Sequence, residues 1–104
     1  PEWLSDFVQK LNNINFGNDF KLSYIYSYSN YSQTTLCREF KKYTGQTLVA
    51  YVNDLKLNYS CNLLRSTSLP LWKIANTVGF YSQAHFTRLF KEKYGITPLQ
   101  YRKN

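Results

Sequence analysis

At 104 residues, with ten Tyr and seven Phe, the chain is long enough for one domain or two very small subdomains, and its modest core must rest largely on aromatics. Thirteen Lys and Arg against six Asp and Glu give a net charge of +7, which favours a polyanionic partner without separating nucleic acid from an anionic membrane. No apolar run is long enough for a membrane span and no signal peptide is visible, so a soluble, cytoplasmic chain is expected. The bases are concentrated after residue 20, since residues 1–20 hold only Lys10 against Glu2, Asp6 and Asp19. The opening Pro1-Glu2-Trp3, without an initiator Met, reads as a piece of something longer.

In chain order, Trp3, Leu4, Phe7, Val8 and Leu11 fall on one wide apolar stripe of a first helix. Residues 12–19 break it, with Gly17 and Asn18 supplying turn chemistry. Leu22, Ile25 and Tyr26 suggest a short second helix stopping at Ser29-Asn30, where Asn tolerates the left-handed conformation. Ser32 caps a third helix, with Leu36, Phe40 and Tyr43 inward, ending at Thr44-Gly45. The longest helix runs from Leu48 to Ser66, its inward line drawn from Val52, Leu55, Tyr59 and Leu63 with Leu64 alongside. Pro70 opens a fifth helix carrying Leu71, Ile74, Ala75 and Val78, which Gly79 closes. Ser82 caps a sixth, with Phe86, Leu89 and Phe90 inward, ending at Tyr94-Gly95, and Thr97-Pro98 starts a last one. No segment alternates at period two for long, so the expected class is all-α with seven helices.

The stretch Tyr31–Tyr51 is written a second time as Tyr81–Tyr101. Tyr31, Ser32, Gln33, Arg38, Phe40, Lys41, Gly45, Thr47 and Tyr51 return as Tyr81, Ser82, Gln83, Arg88, Phe90, Lys91, Gly95, Thr97 and Tyr101. Ahead of the caps the offset is forty-nine residues, pairing Ile25 with Ile74 and Asn30 with Gly79, so one extra residue sits in the second turn. A short helix, a tight turn and an N-capped helix, twice over, is the helix-turn-helix plan that lays one helix in a DNA major groove. The expected organisation is a first subdomain over residues 1–47, a linker helix over 48–66 and a second subdomain over 67–104.

If Leu36, Phe40 and Tyr43 fix the buried face of the third helix, then Gln33, Thr34, Cys37, Arg38 and Lys41 lie opposite. The sixth helix by the same geometry presents Gln83, Ala84, Thr87, Arg88 and Lys91. Gln pairs bidentately with adenine, Arg with guanine, and Thr or Ala methyls touch the thymine methyl. Lys41 and Lys91, a turn further on, suit phosphate contacts that orient without reading sequence. A merely solvated amphipathic face is the plainer reading of each helix alone; the return of Gln33 and Arg38 as Gln83 and Arg88 argues against it.

The run from Ile74 to Arg102 resembles the AraC/XylS transcription regulators: Ile74-Ala75, Val78-Gly79-Phe80, a serine-headed helix with Phe86, Arg88 and Phe90-Lys91, then Gly95, Thr97-Pro98 and Tyr101-Arg102. The first half fits through Ser32, Leu36, Arg38, Phe40-Lys41-Lys42, Thr44-Gly45 and Tyr51, so the resemblance covers nearly the whole chain. It implies a DNA-binding domain of two helix-turn-helix subdomains acting at bacterial promoters. It assigns base reading to Gln33, Thr34, Cys37 and Arg38 and to Gln83, Ala84, Thr87 and Arg88; phosphate contacts are expected of Ser32, Lys41, Ser82, His85 and Lys91. RNA polymerase is a further expected partner, with an effector domain expected elsewhere in the full-length protein. This chain departs from the family pattern at Tyr26, where a small Ala is usual, at Asn30 for the turn Gly, and at Lys56 and Ser60 for an Arg and an Ala of the linker helix.

A helix of about nineteen residues spans ~28 Å, near the roughly 34 Å between successive major grooves on one face of DNA. One chain is therefore expected to occupy two grooves, and the differences Thr34/Ala84, Thr35/His85 and Cys37/Thr87 favour an asymmetric site. Other classes are weaker. Tyr-rich basic chains can stack single strands, but these aromatics fall mostly on inward faces. A protein-interaction module with weak or non-specific DNA binding is the main alternative. Cys37 and Cys61 stand apart without metal-ligand spacing and His85 is the only histidine, so free thiols are expected, with no metal, cofactor or catalytic constellation.

Overall fold

The computed structural model describes residues 2–16 and 23–104, and among these every regular element is helical. The helices are α1 (Glu2–Asn12), α2 (Ser23–Tyr26), α3 (Gln33–Thr44), α4 (Leu48–Ser66), α5 (Leu71–Val78), α6 (Gln83–Tyr94) and α7 (Pro98–Lys103). The expected breaker Gly17-Asn18 and the apolar Leu22 lie outside the described residues. Two compact units divide the chain, the boundary falling within α4 between Leu55 and Lys56.

The first unit holds residues 2–15 and 23–55. Leu4, Phe7 and Leu11 of α1 are buried, one per helical turn, and close over Ile25, Leu36, Phe40, Leu48 and Val52. Each such side chain contributes about 1.5–3 kcal/mol by leaving water. Phe40 meets Phe7 edge-on at 6.2 Å and Tyr51 at 5.3 Å. The Tyr51 hydroxyl in turn donates to Asn12 Oδ1 at 2.6 Å, tying α4 to the end of α1.

The second unit comprises Phe16 with residues 56–104. Phe80, Phe86 and Phe90 stack along its core with Leu57, Leu64, Ile74, Ala75 and Val78. Phe90 meets Tyr101 at 5.5 Å and 68°, repeating the Phe40–Tyr51 contact of 5.3 Å and 73°, so the duplication preserved a ring contact as well as residue types. Arg102 has no counterpart in the first copy, where Val52 follows Tyr51. Its guanidinium donates to the carbonyls of Leu64, Leu69 and Thr67 at 3.2, 2.6 and 3.2 Å, pinning α7 to the segment that leads into α5.

Several expectations are corrected. Tyr43 is not inward but 55% exposed, its hydroxyl 3.5 Å from Ser5 Oγ, because the last turn of α3 runs past the edge of the core. Leu55, Tyr59 and Leu63 of α4 are half-buried, as is Leu89 of α6. The buried line of α4 instead passes through Leu48, Val52, Lys56, Ser60 and Leu64 at four-residue steps, with Leu57 and Cys61 alongside. Two polar residues occupy it because each has a partner: Ser60 Oγ donates back to the Leu57 carbonyl at 2.6 Å, and Lys56 Nζ donates to the Gly79 carbonyl at 2.9 Å. The second helix also ends earlier than expected, closing at Tyr26 through three-residue bonds from Ser27 N–H to Tyr24 and from Tyr28 N–H to Ile25.

Candidate nucleic-acid interface

The reading-helix candidates α3 and α6 begin and end by the same devices. Ser32 Oγ accepts from the Thr35 N–H and Ser82 Oγ from the His85 N–H, both at 3.1 Å, satisfying one of the donors a helix start leaves open. Gly45 and Gly95 stop the helices in the left-handed region at φ 79° and 81°, each returning its N–H to the carbonyl of Lys41 or Lys91. The outcome is two twelve-residue helices in the same register.

Burial of Leu36 and Phe40 in α3, and of Phe86 and Phe90 in α6, turns the opposite faces outward. Gln33, Thr34, Arg38 and Lys41 are exposed and Cys37 half-buried; in α6, Gln83, Ala84, Arg88 and Lys91 are exposed and Thr87 half-buried. Arg38 pairs loosely with Glu39 at 3.6 Å and Arg88 with Glu92 at 3.5 Å, both guanidinium side chains more than 60% exposed. Ion pairs this exposed are worth 1 kcal/mol at most, roughly, so neither holds its Arg against a stronger acceptor. Alongside α3 a cleft of about 510 Å³ is lined by Arg38, Lys41 and Lys42 and by Leu48 and Val49, concentrating three cations beside an apolar surface.

Ser32 is exposed and Ser82 half-buried, each with its hydroxyl oxygen engaged as a cap. His85 is half-buried: its ring meets Phe80 edge-on at 5.8 Å and its Nδ1 is buried without a hydrogen-bond partner, which leaves Nε2 as the nitrogen for an outside acceptor.

The turns that aim the two helices differ. In the second unit Gly79 takes φ 93°, and its N–H and that of Phe80 both fold back on the end of α5. Lys56 fastens the Gly79 carbonyl from α4, its ammonium 5.2 Å over the Phe80 ring. Burial pushes the Lys56 pKa below the ordinary lysine value. In the first unit Tyr26 takes the place of the fully buried Ala75; it is half-buried with its hydroxyl against the Cys37 thiol, and burial, then that thiol, raises its pKa. Tyr26 thereby reaches α3 on the same turn as Arg38. Lys56 and Arg102 are positioning residues whose roles residue types alone do not reveal: in the sequence Arg102 is part of the family-like run and Lys56 a departure from it, and the carbonyl partners of neither are visible there.

A family model described as a helix-turn-helix domain matches residues 26–104. The chain is 35% identical over 103 residues to the probable transcription factor PqrA of Proteus vulgaris, covering 99% of itself and 80% of that protein. It is 39% identical over 75 residues to the transcriptional regulator MtrA of Neisseria gonorrhoeae, of which it spans 25%. A solved AraC-type DNA-binding-domain regulator from Chromobacterium violaceum superposes with a TM-score of 0.77 at 28% identity, over 98% of this chain and 90% of that one. Among the described residues no helix is long and apolar enough to cross a membrane.

Proposed function

Since the chain belongs to the AraC/XylS family of helix-turn-helix transcription regulators, we propose that it binds double-stranded DNA at bacterial promoters by laying α3 and α6 in two successive major grooves. The observation that carries this reading is the doubled surface: two serine-capped helices of equal length, each exposing Gln, Arg and Lys at the same three positions. Gln33, Thr34, Cys37 and Arg38 read one half-site and Gln83, Ala84, Thr87 and Arg88 the other. Lys41 and Lys91, with Ser32, Ser82 and the Nε2 of His85, meet phosphates. Because the neighbours of the shared Gln and Arg differ, the site is asymmetric.

Selection of binding sites from a random duplex library tests the proposal. Two unequal half-sites roughly one helical turn apart are expected, and a pool without enriched sequence would sink it. The same reading extends to RNA polymerase, the partner a promoter-bound regulator addresses. Retained polymerase binding with no base selectivity would favour the protein-interaction use of this fold instead.

A further inference from the structure

Tyr31 and Tyr81 hold the same place in the repeat, one residue before the serine caps, yet their surroundings differ sharply. Tyr31 lies against Trp3 of α1 with ring centroids 4.3 Å apart and is 48% exposed. Tyr81 is 95% exposed.

The extra residue of the second turn explains the difference. A residue just ahead of an N-cap often packs on the helix's fourth residue and so fixes the angle of entry. In the second unit Tyr81 holds that place, yet it is the inserted Phe80, two residues ahead of the cap, that packs on the fourth residue, 6% exposed and with its ring centroid 5.5 Å from that of Phe86. With Phe80 below, Tyr81 is pushed outward and adds nothing to the core. Tyr81 is thereby presented to solvent at the start of α6.

We infer that Tyr81 is a DNA-backbone contact, its phenol hydroxyl donating to a phosphate at the lip of the groove that α6 enters; the inference rests on the DNA-reading proposal above. The N-terminal residues of a groove-seated helix are those nearest the base edges. The residue just before the cap therefore emerges beside the phosphate wall, where a Tyr hydroxyl is one of the common neutral donors. The exposed Gln83 and Ala84, two and three residues on, begin the base-reading face beside it. Tyr31, held on Trp3, is not offered in this way.

Because the side chain is free of the core, substitution leaves folding intact and the test is direct. Tyr81→Ala and Tyr81→Phe, compared with the parent on a selected-site duplex and a random duplex, are each expected to weaken binding about tenfold on both. Their salt dependence should match the parent, since a neutral phenol releases no counterion. Parent-like affinity of Tyr81→Ala, with Arg88→Ala still relaxing base preference, overturns the contact alone. Parent-like affinity of Tyr81→Phe overturns the phosphate bond. Arg88→Ala and Gln83→Ala that both leave base preference unchanged overturn the reading role of α6, and the Tyr81 contact with it.

Discussion

Lys56 of α4 donates to the carbonyl of Gly79 at 2.9 Å, so a buried ammonium on the long helix holds the turn that aims α6. Replacing it with Met leaves that carbonyl without its donor, which costs about 1–3 kcal/mol. Urea unfolding of Lys56→Met should show this loss, and specific DNA binding should weaken with it. The loss should also depend on pH. Burial lowers the folded-state pKa of Lys56, so the unfolded chain holds this proton more tightly than the folded one. Stability from this residue therefore rises as pH climbs from the lowered pKa toward the ordinary lysine value. The gap between parent and Lys56→Met should widen from pH 7 to pH 10; a gap that narrows contradicts the burial argument.

Arg88→Ala and Gln83→Ala are expected to remove about 1–3 kcal/mol of discrimination each at one base pair while leaving random-duplex binding nearly intact. Lys91→Ala should weaken both duplexes alike and reduce the salt slope by about one. Competition titrations at several salt concentrations separate the two behaviours, and equal losses from all three variants would remove the assignment.

Arg102 should be a stability residue of the second unit. Its three carbonyl bonds use the planar fork of the guanidinium, and loss of all three in Arg102→Ala is expected to cost roughly 2–4 kcal/mol. Arg102→Lys should recover only part, because a single ammonium cannot span acceptors on Leu64, Thr67 and Leu69. Full recovery by Lys in thermal unfolding would show that charge, and not the fork, matters.

Ser82 offers a way to separate capping from docking. Ser82→Ala should destabilise α6 by about 1 kcal/mol. Ser82→Asp keeps a cap acceptor and favours the helix N-terminus, so stability should hold. The added negative charge beside the proposed phosphate wall should nonetheless weaken DNA binding. Unchanged affinity of Ser82→Asp would place the entrance of α6 away from the backbone.

Apolar character by itself does not decide which surface a side chain can reach. Tyr43 is inward by residue type, yet its counterpart in the repeat is Lys93, and both are exposed, so the repeat itself marks the position as outward. Lys56 and Ser60 stand out in the sequence only as departures from the family pattern, and the inward line of α4 is drawn there through Leu55, Tyr59 and Leu63 instead. Lys56 is buried because it finds a carbonyl twenty-three residues on, and Ser60 because it finds its own helix backbone; only the first of these needed a tertiary partner.

Element order, both caps, both glycine stops and the face carrying Gln, Arg and Lys were legible in the residues alone, because capping and helical periodicity are local. They act within about one turn of chain, and the duplication stated them twice. Tertiary structure decided what depends on distant neighbours. It set Phe80 in the core and Tyr81 in water, placed the Tyr26 hydroxyl against Cys37, closed the Arg102 fork on three carbonyls and drew the buried line of α4 through a lysine. A side chain's burial is settled by the surface that meets it, and for Lys56 and Arg102 that surface lies tens of residues away.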